Sequence, residues 1–224
     1  MGTYLILVVP ALLLAVYAQF KVKWTFSYYS KQSNLRGLTG AEVARMILDD
    51  NGLNDVPVER VPGELTDHYD PSSRVLRLSE SVYDSTSIAA AGVAAHETGH
   101  AIQHKVGYAA LGLRSVLVPV ANIGSQLGPW MAIIGLGIGA LGLAYLGIIL
   151  FSCAVAFYVI TLPVEFNASS RALAVLQSNK ILEADEVDSA RKVLSAAAMT
   201  YVASALVAIT QLLYFILRAN SRRD

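Results

Sequence analysis

The sequence predicts a mainly α-helical membrane protein with about four membrane-spanning helices and a small polar region that contains a short β-hairpin. Of its 224 residues, 54% are hydrophobic and only 15% are charged, whereas soluble domains average roughly 25% charged residues. The mean hydropathy is +0.49. Long uncharged stretches alternate with two polar segments that hold most of the charged side chains. This alternation is typical of a polytopic membrane protein.

Charge and cysteine content exclude several classes of protein. The 17 Lys and Arg residues balance the 17 Asp and Glu residues, so the chain has no broad basic field that would attract phosphate groups. We therefore expect a lipid bilayer as a partner and no nucleic acid. The composition also excludes a disordered chain and a coiled coil. Cys153 is the only cysteine, so no disulfide can form within the chain.

Four apolar stretches are long enough to cross a bilayer. Residues 4–20 form an uncharged run close to the minimum of about 17 residues. No Lys or Arg precedes this run, so we interpret it as a retained anchor, with a cleaved signal peptide as the alternative. Residues 115–163 contain no charge and allow two crossings near 116–136 and 141–163, with a glycine-rich turn or contact between them. A fourth span is expected near 197–217.

Two polar segments, 21–114 and 164–196, lie between these spans. Two crossings join them, so both segments must face the same side of the membrane. Basic residues follow the first span directly, which places the segments in the cytoplasm under the positive-inside rule. These basic residues are Lys21, Lys23, Lys31 and Arg36. The basic residues of the tail oppose this assignment because they would then lie outside; they are Arg218, Arg222 and Arg223. We expect one multi-pass domain over 1–224.

Local signals predict helices and one hairpin in the polar segments. A capping-box spacing predicts a helix over 41–48, and a serine N-cap predicts a helix from about residue 88 to Gly107. The turn sequence Asp70–Ser73 separates two short strands, 65–69 and 74–78. Prolines 57 and 62 bound a loop or short strand. Two further helices are expected, over 165–177 and 185–198.

The sequence His96-Glu97-Thr98-Gly99-His100 lies within the predicted helix from residue 88. Two histidines four residues apart lie on one helix face, so both imidazoles can bind one ion. Zinc peptidases use this His-Glu-x-x-His arrangement, in which the glutamate acts on a water molecule as a general base. The alternative is a helix whose His and Glu merely face water or a neighbouring element.

A catalytic zinc needs a third protein ligand. His104 lies about 12 Å along the helix axis from His96, which is too far for both to bind one ion. Glu165 is the better candidate, because it follows Pro163 at the predicted end of the third span and faces the other polar segment across the same membrane surface. The alternative for Glu165 is a hydrated carboxylate at the membrane boundary.

Together these residues resemble a known family, the YugP-type membrane zinc metallopeptidases, and more distantly the HtpX and CAAX-prenyl endopeptidase group. The resemblance implies a zincin-like, gluzincin-like metallopeptidase region that binds one zinc ion per chain. It also implies that His96, His100 and Glu165 are zinc ligands and that Glu97 is the catalytic acid and base. The matching segments are Asp67-His68-Tyr69-Asp70-Pro71, Val75-Leu76-Arg77-Leu78-Ser79-Glu80, Ala94 to Gln103 and Leu162 to Ser169.

One position departs from the pattern of the HtpX-like group, in which an acidic residue often follows the ligand glutamate by four positions. Ser169 stands there, so that carboxylate is missing or replaced, with Asn167 as a candidate. His68 is a second predicted catalytic residue, as a donor to the oxyanion of the reaction, or else a polar turn residue. Tyr69 and Arg171 are weaker candidates for the same role.

The sequence thus predicts a zinc endopeptidase that cuts a peptide or protein substrate near the membrane face. Strand 74–78 is a candidate edge for pairing with an extended substrate, or else it packs beneath the active helix. One alternative function is a non-catalytic membrane scaffold with a structural zinc site. A second alternative places the zinc within the bilayer. The physiological substrate and the oligomeric state stay open.

Overall fold

A computed structural model describes residues Gly2–Arg222, so Arg223 of the basic tail lies outside the described residues. The described chain is mainly helical, as predicted, and it contains one three-stranded sheet where the sequence predicts a short hairpin. Its elements are α1 (Gly2–Leu7), α2 (Val9–Tyr29), α3 (Gly40–Asp50), β1 (Val58–Val61), β2 (His68–Asp70), β3 (Val75–Ser79), α4 (Glu80–Tyr83), α5 (Ile88–Lys105), α6 (Ala109–Ile138), α7 (Leu141–Ser178) and α8 (Ala184–Asn220).

The chain divides into two compact units. We call the first the apolar unit; it consists of Met1–Gln19, Ala109–Pro163 and Met199–Asp224. We call the second the polar unit; it consists of Phe20–Tyr108 and Val164–Ala198. The polar segments predicted from sequence are 21–114 and 164–196.

Four helical stretches among the described residues are long and apolar enough to cross a membrane, which confirms the predicted number. They are Gly2–Tyr29, Ala109–Ile138, Leu141–Ser178 and Ala184–Asn220. All four extend beyond the predicted spans.

Two of the predicted spans are parts of longer helices, because α7 runs without a break through Pro163 and α8 runs from Ala184 to Asn220. Proline lacks one backbone N–H donor but has a φ angle that fits an α-helix. A long helix can therefore continue through a proline where neighbouring groups satisfy the backbone that is left without a hydrogen bond. Where no neighbouring group does so, a proline within a helix ends or kinks it.

In the apolar unit, α6 and α7 pack closely through glycine. Gly135 faces Ala144, and Gly128 faces Phe151, where an added Cβ would lie 2.8 Å from the backbone nitrogen. Higher numbers on one helix meet lower numbers on the other, so the two helices are antiparallel. Gly139 has a φ of +78° between them, a conformation that favours glycine. The predicted glycine-rich turn and helix contact are therefore both present.

The polar unit is built around α5, which is buried along most of its length. The Ser87 side chain accepts a hydrogen bond from the backbone N–H of Ala90 at 3.1 Å and begins the helix as predicted. Its many alanines let neighbouring elements approach closely, and α3 packs beside it through Val43, Ala44, Ile47 and Leu48. The predicted capping box of Thr39 and Glu42 is present at the start of α3. The helix holding the His-Glu-x-x-His sequence is thus the core of this unit.

The sheet has the order β1–β3–β2. Strands β2 and β3 form the predicted antiparallel hairpin, with Tyr69 opposite Leu76. Strand β1 pairs in parallel with the other side of β3. The interpretation of β3 as a sheet edge is therefore wrong, since the segment between the two prolines forms a strand and covers it. The edge strands are β1 and β2.

Helices α5 and α7 approach each other closely at Gly99. A Cβ atom added at Gly99 would lie 2.7 Å from the carbonyl oxygen of Ala168 and 3.1 Å from its Cα. Both contacts are with backbone, which cannot move aside as a side chain can. Gly99 lies between His96 and His100, so this contact sets how near their helix comes to α7.

We predict that Gly99→Ala separates α5 from α7 and destabilises the protein by about 1–3 kcal/mol, the usual cost of overpacking. Thermal unfolding of the detergent-purified protein measures this effect. Gly92→Ala is the matched control on the same helix, because the nearest atom to its added Cβ would be the Ala190 Cβ at 3.4 Å, an ordinary van der Waals contact. Equal stability of the two variants would show that the close approach at Gly99 is not a constraint.

Candidate metal centre

His96 and His100 are adjacent on one face of α5, as their spacing predicts. Their ring centroids are 4.8 Å apart, and the ring planes are nearly perpendicular, at 86°. The side chains are 13% and 10% exposed, respectively. Two largely buried imidazoles therefore present their edges to one small volume.

Glu165 brings a carboxylate from α7 to the same place. Its Oε2 atom lies 3.2 Å from Nε2 of His96 and 3.7 Å from Nε2 of His100. Its side chain is only 3% exposed. A buried carboxylate needs compensating partners, since its transfer out of water is costly. The structure thus brings together the three predicted ligands, and they are grouped as a candidate metal site.

The three ligand atoms fit a zinc ion in spacing and in chemistry. They all lie within 4.8 Å of one another. Tetrahedral zinc holds imidazole nitrogen and carboxylate oxygen at about 2.0–2.2 Å, which separates neighbouring ligand atoms by about 3.3–3.6 Å. The two distances from Glu165, 3.2 Å and 3.7 Å, are close to this range. Two imidazoles and one carboxylate are also a known ligand set of catalytic zinc.

The other ring nitrogen of each histidine has a partner of its own. Nδ1 of His96 lies 3.0 Å from the Ser169 hydroxyl, and Nδ1 of His100 lies 3.0 Å from Oε1 of Gln103. These contacts leave both Nε2 atoms pointing at Glu165. Such partners orient metal-binding histidines.

The sequence did not predict that Ser169 and Gln103 contact the Nδ1 atoms of the two histidines. Ser169 occupies the position at which the HtpX-like group often has an acid, and the serine itself contacts His96. Asn167, suggested as the replacement, contacts Gln103 and Arg171 instead. A sequence signal for Gln103 exists, because it follows His100 by three residues and so lies on the same helix face.

The electrostatic field at the centre favours positive charge. Burial disfavours the charged form of His100, but the hydrogen bond to Glu165 and the charges of Glu97 and Glu165 outweigh it and raise the pKa of the imidazole. The carboxylates of Glu97 and Glu165 thus act on two largely buried imidazoles. A divalent cation suits such a field.

Glu97 is held apart from the three predicted ligands. Its Oε2 atom accepts a hydrogen bond from the backbone N–H of Tyr69 at 3.1 Å. Tyr69 lies on the edge strand β2, opposite Leu76 of β3. The backbone N–H of Leu76 donates to the carbonyl oxygen of Pro57 and not to β2. The two opposite residues therefore share no hydrogen bond, and the N–H of Tyr69 points away from β3. The sheet thus fixes one of the two carboxylate oxygens of Glu97.

Two side chains, of Asp67 and Tyr69, hold strand β2 in place. Before it, Asp67 accepts hydrogen bonds from the backbone N–H and the hydroxyl of Ser79, at 2.7 Å and 3.0 Å. Within it, the Tyr69 hydroxyl lies 2.9 Å from Nδ1 of His104 in the last turn of α5. Burial, together with the charge of Glu97, raises the pKa of the Asp67 carboxyl. These contacts hold the strand that positions Glu97.

The remaining candidates, His68 and Arg171, are not part of the group of three ligand atoms. His68 is exposed, and its Nδ1 atom lies 2.8 Å from the carbonyl oxygen of Thr66. Successive strand residues face opposite sides, so His68 and Tyr69 point in opposite directions. Arg171 donates from Nε to Asn167 at 2.8 Å. Among the described residues, no contact joins His68 to the candidate ligands or to Glu97, and its catalytic role stays a prediction.

Comparisons with known proteins give the family of the chain. The family model described as "Putative neutral zinc metallopeptidase" matches residues 4–220. The chain is 54% identical over 221 residues to the "Putative membrane protease YugP" of Bacillus subtilis (strain 168), which covers 99% of this chain and 98% of the relative. No solved structure matches the chain. The family match spans nearly the whole chain, and the chain therefore belongs to the putative neutral zinc metallopeptidase family.

Proposed function

We propose that this protein is a membrane endopeptidase that hydrolyses peptide bonds near the membrane surface, with one zinc ion held by His96, His100 and Glu165. The observation that carries the proposal is the convergence of these three side chains, which come from two helices and bury a carboxylate between two imidazoles. Membership of a zinc metallopeptidase family supports the choice of metal.

Zinc bound there would supply Lewis acidity, which lowers the pKa of water and polarises a carbonyl group. Glu97 does the proton chemistry. One of its oxygens, Oε2, is held by Tyr69, so Oε1 is the atom that takes a proton from the attacking water and gives it to the leaving amine. Because the backbone of β2 fixes Oε2, the carboxylate keeps its orientation through both transfers.

The substrate that we propose is a peptide or protein, either soluble or associated with the membrane. We place the active site on the cytoplasmic side of a multi-pass protein, because the basic cluster after the first span favours that side. His68, on the exposed face of the hairpin, is the proposed donor to the oxyanion of the tetrahedral intermediate.

The alternative function is a non-catalytic scaffold with a structural zinc site. Structural zinc sites are closed by four protein ligands, whereas the candidate group among the described residues contains three. A scaffold also has no use for a carboxylate that is held beside the ligands but is not one of them. The position of Glu97, bonded to Tyr69, therefore favours the peptidase.

We predict that two glutamate variants fail in different ways. Glu97→Gln should retain zinc and lose at least about 100-fold in cleavage rate, because it removes the general base. Glu165→Gln should weaken zinc binding by more than about 100-fold, because the loss of a direct ligand exceeds the usual effect of a neighbouring residue. Hydrolysis of an unstructured protein and metal analysis of the detergent-purified enzyme measure both effects.

Glu64→Gln is the matched control, since Glu64 is exposed in the loop before β2. It should keep both zinc and activity. Full zinc affinity in Glu165→Gln would remove Glu165 from the ligand set. Full activity in Glu97→Gln would exclude it as the base, and wild-type protein that holds zinc without cleaving any substrate would favour the scaffold.

The proposed orientation predicts which positions are accessible from outside the cell. In a Cys153→Ser background without other cysteines, Gly137→Cys near the end of α6 should react with a membrane-impermeant maleimide in intact cells. Glu64→Cys in the polar unit should react only after the cells are permeabilised. Both positions are exposed, and an added Cβ at Gly137 meets nothing within 4 Å. Labelling of Glu64→Cys in intact cells would reverse the proposed orientation.

A further inference from the structure

The last turns of α2 and the residues just after them carry an exposed set of aromatic and basic side chains, which we call the aromatic–basic face. Three of its members are large apolar side chains, with Phe20 at 71%, Trp24 at 68% and Tyr28 at 50% exposure. The other two, Lys23 and Lys31, are also exposed. Each member lies three or four residues from another, so all five lie on one side of the helix.

The opposite side of the same turns packs into the polar unit. Phe26 and Tyr29 belong to its hydrophobic core, and Thr25 beside them is buried. The aromatic–basic face has no place in that core. Its Trp24 and Tyr28 rings instead stack on each other, with centroids 5.6 Å apart and planes at 20°. A contiguous exposed apolar surface of this kind marks a site of contact with a partner or a membrane.

The position of the face along α2 places it at a membrane surface. Gly2–Tyr29 is a helical stretch of 28 residues, about 42 Å long at 1.5 Å per residue, whereas the hydrocarbon core of a bilayer is about 30 Å thick. The last two turns therefore extend beyond the core when the apolar run 4–20 spans it. Trp24 lies about 6 Å along the helix axis from Phe20, which is the depth of the headgroup layer.

The charge around the face is positive and is not balanced locally. Residues 1–41 contain four basic residues and no Asp or Glu. Within the described part of the chain, neither Lys23 nor Lys31 forms an ion pair. Near a bilayer, a lysine lays its apolar stem along apolar surface and extends its ammonium group to the headgroups. Anionic headgroups attract such a group more strongly than zwitterionic headgroups do.

We propose that the aromatic–basic face binds the headgroups of anionic phospholipids in the bilayer that α2 crosses. Trp24 and Tyr28 lie at the level of the headgroups, where aromatic rings are enriched, and Lys23 and Lys31 contact lipid phosphate. The face continues directly from the apolar part of the same helix, so the lipid surface is its immediate neighbour. The proposal does not depend on zinc or on peptidase activity.

A second copy of this chain fits the face less well. The commonest dimer contact pairs identical surfaces, which would bring the lysines of one copy against the same lysines of the other. Like charges that face each other oppose association. An anionic lipid has the opposite charge and an apolar tail, so it matches both the lysines and the aromatic rings.

The two tryptophans of the chain, Trp24 and Trp130, permit a direct test. Trp130→Phe leaves Trp24 as the only reporter of the face. Trp24→Phe leaves Trp130, which is exposed on α6 within the charge-free stretch 115–163 and is the internal control. Each variant is reconstituted in bilayers of equal parts phosphatidylglycerol and phosphatidylcholine, in which the acyl chains of one lipid or the other carry bromine. Fluorescence quenching then reports which lipid contacts the tryptophan.

Brominated phosphatidylglycerol should occupy the surroundings of Trp24 about fivefold more often than brominated phosphatidylcholine, the usual contribution of one basic residue near an anionic surface. Both lipids should quench Trp130 equally. About 1 M salt should abolish the preference at Trp24, because the Debye length then falls to about 3 Å.

Lysine variants in the Trp130→Phe background test the source of the preference. Lys23→Gln combined with Lys31→Gln should remove it, and arginine at both positions should keep it because the charge is retained. Lys180→Gln is the matched control, since it removes the same charge from an exposed position between α7 and α8. This control should leave the preference unchanged.

Trp24 that neither brominated lipid quenches would show that protein covers the face, and it would overturn the proposal. Equal quenching of Trp24 by the two lipids would overturn it as well, because the face would then meet lipid without selecting anionic headgroups. A preference that persists at about 1 M salt, or in the double glutamine variant, would contradict the role of the two lysines.

Discussion

The burial of the Glu165 carboxylate is the interaction on which the centre depends. A carboxylate that is 3% exposed is costly unless positive or donating groups surround it. Here the compensation comes from two imidazoles on α5, which must lie within a few ångströms. That distance is attainable because Gly99 lets the α5 backbone come against Ala168. The burial of Glu165 on α7 thus explains why the residue at position 99, between the two histidines, is a glycine.

The two glutamates of the centre differ in what surrounds them, and this difference suits each of them to its proposed role. Glu165 is enclosed by imidazoles and suits a ligand, whereas Glu97 is bonded to the backbone of β2 and suits a base. The small sheet therefore has a function beyond covering the helix. It supplies one N–H group at a fixed place, and the contacts of Asp67 and Tyr69 keep that strand in position.

Much of the fold and of the centre follows from local sequence signals. Charge-free stretches predict four spans, capping residues predict the beginnings of α3 and α5, and a turn sequence predicts the hairpin. Helical spacing predicts that His96 and His100 share a face, because a distance of four residues fixes their relation before any folding partner is known.

The features that sequence does not predict depend on neighbours distant in the chain. Pro163 normally ends a helix, and only the continuous structure of α7 shows that it does not. Strand β3 lies between β1 and β2, and no sequence pattern predicts that β1 pairs with β3 in parallel. The pairing of Ser169 with His96 joins residues 73 positions apart. Spacing within one helix cannot reveal such a contact.

X-ray absorption at the zinc edge of the detergent-purified protein tests the central claim most directly, because it reports the atoms bound to the metal. The proposed ligand set predicts nitrogen and oxygen neighbours at about 2.0–2.2 Å, together with the outer-shell signal of two imidazole rings. A sulfur neighbour at about 2.3 Å, or the signal of fewer than two imidazoles, would contradict a zinc centre made by His96, His100 and Glu165.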